Sequence, residues 1–342
     1  LIPRPEYVRG LFLTGYGANS AKLREPILQL LRESELNSLV INVKDDNGRI
    51  TYWDTEVQLA RDAGANERQV DMRALMETLR EEEIYPIARI VVAKDKYVSK
   101  VKPEWFYQDK NGGIWRDKNG AAWADLRIKE YWDYLLEIAM EAAEIGFREI
   151  QFDYVRWPSG GDGSVKNITD LLPANMTLQG PFPRSEIIAE FLAYTMDKLA
   201  PFDVEVSADS FGIMGTARNE QSVGQHLETI LSSEVDIVCP MIYPSHYANN
   251  TYGQPNPNRA PYEVVYQNSL DHLNRIEAAG AKTILRPWLQ DFNHWDDRQY
   301  KYGVEQIHAQ LQALKELGVK EYLFWNAGNV YTEEAYKTWQ SE

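Results

Sequence analysis

Cysteine is nearly absent. Cys239 stands alone in 342 residues, which excludes an intrachain disulfide and a paired-cysteine metal site. Histidine is scarce too. The best placed, His246 and His294, lack the close spacing of a zinc centre such as His-Glu-x-x-His, so no catalytic metal and no cofactor are expected. The glycine-rich stretch 160–163 lacks the Lys-Ser/Thr of a phosphate-binding loop. Basic residues are in deficit, 36 against 51 acidic ones. A net charge of −15 leaves no basic face for nucleic acid or an anionic membrane surface, and a neutral substrate is expected. No apolar run approaches the roughly 18 residues of a membrane span, so no membrane contact by this domain is expected. The chain begins at Leu1 with a Pro-rich, polar segment, and the expectation is a trimmed, exported protein, extracellular or at the cell surface. Three Asn-x-Thr triplets, at Asn167, Asn175 and Asn249, carry no weight by themselves. Nothing in the sequence bears on oligomeric state.

Aromatic residues are what the chain has in abundance: ten Trp and twenty Tyr, several near the ends of predicted strands. Such rings suit sugar stacking, although a large barrel also needs bulky packing residues. Short β-branched runs alternate with amphipathic helical stretches from end to end, the pattern of successive βα units around a parallel sheet. Strands are expected at 8–13, 38–43, 85–92, 149–152, 204–207, 236–241, 283–287 and 321–324. Between them, helical spacing is visible at Ile27, Leu28 and Leu31, at Leu75, Met76 and Leu79, and at Tyr134, Leu135, Ile138 and Ala142. Gly146, Gly280 and Gly318 sit where helices end. The expectation is one (β/α)8 barrel domain over residues 1–342, with long βα loops at about 94–125, 157–184 and 243–261. Within these, 159–164 and 249–261 are the segments expected to move most, and either could act as a lid.

Barrel enzymes build their sites at the C-terminal ends of the strands. Carboxylates recur there, and a carboxylate at the end of a buried strand is costly unless it is paired or faces a cleft. Asp153 carries the strongest local signal, with Tyr154, Arg156 and Trp157 crowded behind it. Asp209 and Asp291 end two later strands. Arg89, Tyr154, Arg156, Tyr243, His246, Trp288, Gln290, Trp325 and Asn326 are candidate substrate contacts, with Trp288, Tyr243 and Trp325 as sugar platforms. Lys44 and Asp45 read either as a mutual ion pair or as substrate contacts. Asp46 reads as the start of a turn with Asn47 and Gly48, and Asp125 as a helix cap.

The stretch 146–158, GFREIQFDYVRWP, ends in a motif that resembles the hallmark of a family of glycoside hydrolase domains grouped with the α-amylase-like barrels. The opening VRGLFLTGY at 8–16, NVKDD at 42–46 and RPWLQDF at 286–292 are similar to that family too, so the likeness covers nearly the whole chain. The resemblance implies a (β/α)8 barrel with a nucleophilic Asp after strand four, a general acid after strand five and a further Asp after strand seven. Asp153, Asp209 and Asp291 occupy those places. The chain departs from the amylase pattern at Gln151, where Arg is usual, at Asp209, where Glu is usual, and in lacking a His-Asp pair on strand seven.

Glycoside cleavage needs one carboxylic acid kept protonated and one carboxylate kept ionised. Arg156 and Arg89 would keep Asp153 ionised, as a nucleophile requires, while the less charged surroundings of Asp209 would raise its pKa toward the acid role. The leading reading is a retaining glycoside hydrolase of a polysaccharide or oligosaccharide. Two others stay open: a barrel that binds carbohydrate without turnover, and a hydrolase or lyase acting on a modified amino sugar.

Overall fold

Alternate residues of a strand point to opposite faces, and here the two faces are buried against different partners. In the computed structural model, which describes residues 1–66, 70–159, 177–178 and 180–341, eight parallel strands form. They are β1 (Arg9–Leu13), β2 (Ser38–Lys44), β3 (Tyr85–Val91), β4 (Glu149–Asp153), β5 (Glu205–Phe211), β6 (Ile237–Met241), β7 in two pieces (Ile284–Leu285 and Trp288–Gln290) and β8 (Tyr322–Trp325). Neighbours in sequence are neighbours in the sheet, and Arg9↔Tyr322, Gly10↔Leu323 and Leu11↔Phe324 close it into a (β/α)8 barrel.

A main helix follows each strand: α1 (Ala21–Arg32), α2 (Met72–Glu81), α3 (Lys129–Ile145), α4 (Pro183–Leu199), α5 (Leu227–Leu231), α6 (Pro261–Ala278), α7 (Val304–Glu316) and α8 (Glu333–Thr338). Outward strand residues such as Ile41, Ile90, Phe152 and Phe324 pack with Leu28, Leu75, Leu135 and Leu311 of the helices in one large core. Inward residues Val8, Phe12, Val40, Ile87, Cys239, Trp288 and Leu323 form a second, smaller core inside the barrel. Gly146 ends α3 at φ 126°, a conformation that a Cβ would strain. Among the described residues, no helix is long and apolar enough to cross a membrane.

An ion-pair network plugs the N-terminal end of the barrel. Arg286 Nη1 donates to both oxygens of Glu149 at 2.7 Å, and its Nε to Glu321 Oε2 at 2.8 Å. Arg4 links Glu321 Oε1 at 2.7 Å to Glu205 Oε2 at 2.8 Å, and Ser207 Oγ donates to Glu149. With that end filled, the opposite end is where a ligand can enter.

Three local departures from the expected pattern reshape that open end. Strand β5 runs four residues past 207, because Asp209, Ser210 and Phe211 continue the ladder with Cys239, Pro240 and Met241. Apolar runs alone predict an end at 207, where polar inward residues begin. Strand β7 breaks at Arg286 and Pro287, the latter lacking an N–H, and then resumes to Gln290. Strand β2 carries a register shift between Asn42 and Lys44. Such a bulge sets two consecutive residues on one side. Val43 and Lys44 accordingly both face the helices.

The loop 94–125 is held by isolated bridges, among them Lys94↔Trp123 and Phe106↔Ala124. The expected lid at 249–261 is fastened down, since Asn256, Asn258 and Arg259 all donate to Asp297. Most of the expected loop 157–184 lies outside the described residues, with the lid at 159–164, the glycine-rich stretch and the triplets at Asn167 and Asn175.

Candidate active site

The alternation that fills the barrel also selects what faces its open end. On β4 the inward positions are Glu149, Gln151 and Asp153, from floor to rim; on β5 they are Ser207 and Asp209. Arg89 faces inward from β3, and Trp288 and Trp325 do so from β7 and β8. Of these side chains, Arg89, Asp153, Asp209, Trp288 and Trp325 line a cavity of about 240 Å³, completed by Asp46, Tyr154, Arg156, Phe211, Gln225, Met241, Tyr243 and His246.

Arg89 is buried and organises one wall. Its Nε and Nη2 donate to Asp153 Oδ2 at 2.9 and 2.5 Å, and its Nη1 donates to Asn42 Oδ1 at 2.7 Å. Asp46 Oδ2 lies 3.5 Å from Nη1. Burial pushes the Asp46 carboxyl up, but Arg89 and Lys94 outweigh it and hold it below its ordinary value. The other oxygen of Asp153 accepts the Tyr154 N–H at 2.6 Å. Tyr154 adopts φ 53°, a left-handed conformation costing a bulky residue about 1–3 kcal/mol, which here orients the Asp153 carboxylate.

Asp209 sits in a different environment on the same cavity. It is 2% exposed, and Trp288 Nε1 donates to its Oδ1 at 2.7 Å. Burial first, and then the charge of Asp153, hold its carboxyl well above the usual carboxylate range, against the pull of Arg89. One acid is thus ion-paired and the other has its carboxyl pushed toward the neutral form, a contrast that suits acid–nucleophile chemistry.

This state has a pH signature. Because the folded pKa of Asp209 is raised, its stability contribution is complete below the unfolded value of about 3.8 and is lost as pH rises through the folded one. Asp209→Asn keeps an acceptor for Trp288 and has no proton to lose. Its urea midpoint is expected to gain on that of the wild type between pH 4 and pH 8; a constant gap would show that Asp209 is not protonated in the fold.

Several expected site residues are used elsewhere. The bulge turns Lys44 out of the barrel, where its Nζ pairs with Asp95 at 3.2 Å and donates to the Val91 and Lys94 carbonyls at 2.8 Å. Asp45 makes no pair with it; its Oδ1 accepts the Asn47 and Arg49 amides at 2.9 Å. Asp291 does not line the cavity. Its carboxylate accepts from Thr332 N at 2.8 Å, Thr332 Oγ1 at 2.7 Å and Tyr336 Oη at 2.8 Å, anchoring the start of α8. Gln290 is buried among Asn258, Ser245, Phe292 and Gln310, and Asn326 donates to the Asp291 and Val330 carbonyls. Asp125 pairs with Arg127 and accepts its amide instead of capping α3.

The aromatic candidates divide as well. Trp288 is buried and works as a hydrogen-bond donor to Asp209 instead of as a platform. One face of Trp325 is covered by Phe12, with ring centres 3.8 Å apart. Tyr243 is buried against His246 and Phe292. Asp46, Phe211, Gln225 and Met241 were missed as lining residues. Inward alternation along β5 and β6 would have found Phe211 and Met241, whereas Gln225 follows a loop turn and left no signal.

A closed (β/α)8 barrel with two carboxylates in unlike environments at the C-terminal strand ends defines the class of barrel suited to hydrolase chemistry. The chain belongs to the family described as "Putative glycosyl hydrolase domain", whose model matches residues 10–331. A hypothetical protein from Ruminiclostridium thermocellum is 36% identical over 58% of this chain and 96% of its own, with a TM-score of 0.50. The PgaB (BpsB) glycoside hydrolase domain from Bordetella bronchiseptica superposes over 97% of this chain and 98% of its own, at 15% identity and a TM-score of 0.61. Alpha-L-fucosidase isoenzyme 2 from Paenibacillus thiaminolyticus shares the fold over 97% of this chain and 48% of its own, at 15% identity and a TM-score of 0.56. No curated protein matches the sequence.

Proposed function

We propose that the protein is a retaining glycoside hydrolase in which Asp153 is the nucleophile and Asp209 the general acid. The observation that carries this reading is the contrast between the two acids: Asp153 ion-paired to Arg89, Asp209 buried beside Trp288 with its carboxyl held above the usual range. Asp209 would give its proton to the glycosidic oxygen as the bond to the anomeric carbon breaks, while Asp153 attacks that carbon to form a glycosyl ester. Asp209, now ionised, would take a proton from the water that hydrolyses the ester. The Trp288 N–H steadies that charged stage, and Arg89 holds Asp153 in place for attack.

Exposed aromatic rings on the βα side support an oligomeric or polymeric substrate. Tyr16, Trp53 and Trp295 follow β1, β2 and β7 and are 76%, 64% and 75% exposed. Rings of this kind offer faces to successive sugars.

The test is reducing-end release from a panel of α- and β-linked glycans, with the anomer of the first product followed by proton NMR. Release with retained configuration is expected. Inverted product would remove the nucleophile role from Asp153, and glycan binding without release would establish the binding-barrel alternative.

A further inference from the structure

Two cations share a pair of aromatic rings beside the cavity, which Arg156 and Tyr154 line. Lys94 Nζ lies 4.2 Å from the centre of the Tyr154 ring and 5.4 Å from that of Trp123. The Arg156 guanidinium lies 4.7 Å from Trp123, 5.0 Å from Tyr154 and 5.0 Å from Phe211. Among the described residues neither side chain makes an ion pair, and the hydrogen bond from Arg156 Nη1 to the Trp157 carbonyl at 2.9 Å is the only one from either. The carboxylates at hand are engaged. Asp153 and Asp46 lie against Arg89, and Asp117 accepts from Trp123 Nε1 at 2.9 Å and from the Asn119 and Ala121 amides.

The charge around these rings therefore differs from that of the chain as a whole. Arg89, Arg156 and Lys94 stand against the carboxylates Asp46, Asp117 and Asp153, a near balance in a protein of net charge −15, and burial pushes the Asp209 carboxyl up. Two like charges on the same pair of rings repel, and Arg156 lowers the pKa of Lys94 in addition to the larger effect of burial. Ring faces offset part of this cost, but a bound anion would offset more, because a planar guanidinium and an ammonium both favour carboxylate and sulfate oxygens.

We propose that the glycan carries an anionic substituent, a carboxylate or a sulfate, and that this group docks on Arg156 and Lys94 beside the two acids. That the bound glycan is also cleaved rests on the hydrolase reading above; the charge preference does not. The expectation of a neutral substrate, drawn from total charge, is replaced by one drawn from the cavity.

The test measures binding by calorimetry to Asp153→Asn, so that turnover does not interfere, together with turnover by the wild type. The probes are polygalacturonate against its carboxyl-reduced neutral form, and dextran sulfate against dextran. At least one charged probe is expected to bind about tenfold or more tightly than its neutral counterpart, with the preference falling as salt is raised. The pair that responds tells carboxylate from sulfate. Lys94→Gln and Arg156→Gln, each checked for an unchanged melting temperature, should shrink the preference, and Arg156→Lys should keep part of it. Equal binding of charged and neutral forms, binding of neither, or a preference untouched by both substitutions would overturn the proposal. A charge preference without turnover sinks the hydrolase reading alone; turnover of neutral glycans with no preference sinks this inference alone.

Discussion

Asp153→Asn is expected to lower glycan turnover by about a thousandfold or more while leaving the barrel folded. The substitution keeps the shape of the side chain and an oxygen for Arg89, but removes the charge that would attack the anomeric carbon. It should also be felt at the partner acid. The Asp153 charge is the second cause, after burial, of the raised pKa of Asp209, so its removal lets Asp209 ionise at lower pH. The alkaline limb of the residual pH–rate profile should accordingly move to lower pH. An unchanged rate would end the nucleophile assignment. A reduced rate with an unmoved limb would mean that the two acids do not sense one another.

Arg286→Met is expected to cost about 3–5 kcal/mol of stability, because it strands Glu149 in the floor of the barrel without its cation. Glu149 is fully buried, and burial already holds its carboxyl above the ordinary value against the opposing pull of Arg286. Without Arg286 it rises further. A raised folded pKa gives stability that is present at low pH and lost as pH rises through it, so the deficit of the variant should be largest in alkaline solution and shrink toward pH 5. Urea midpoints at pH 5 and pH 8 would show this. Adding Glu149→Leu should recover much of the loss, since an apolar pair of similar volume replaces an ion pair at little net cost. A loss of under 1 kcal/mol at pH 8 would mean that the network is hydrated and not a plug.

The barrel was legible because its cause is periodic. Eight apolar runs with helical stretches between them leave few other ways to bury both strand faces. Asp153 was legible for a related reason: it follows an apolar strand directly, and its position is set by counting along one chain. Lys44 shows where counting fails. One extra residue in β2 reverses which side the next residue faces, and a bulge depends on pairing with β3 that no single segment reveals. The same bulge frees Asp46 to approach Arg89, although locally it reads as a turn residue. Asp291 sits at the end of its strand as expected, yet its carboxylate is used by Thr332 and Tyr336, 41 and 45 residues away.

By itself, the sequence determined the strand and helix order, the barrel class, and the place of Asp153 and Asp209 at the strand ends. These are properties of local pattern. Only the tertiary structure decided that Asp153 is ion-paired and Asp209 buried, which tryptophan donates to Asp209, and that among the described residues Arg156 and Lys94 make no ion pair. Burial and charge spacing set those outcomes, and both are sums over neighbours that lie far apart in the chain.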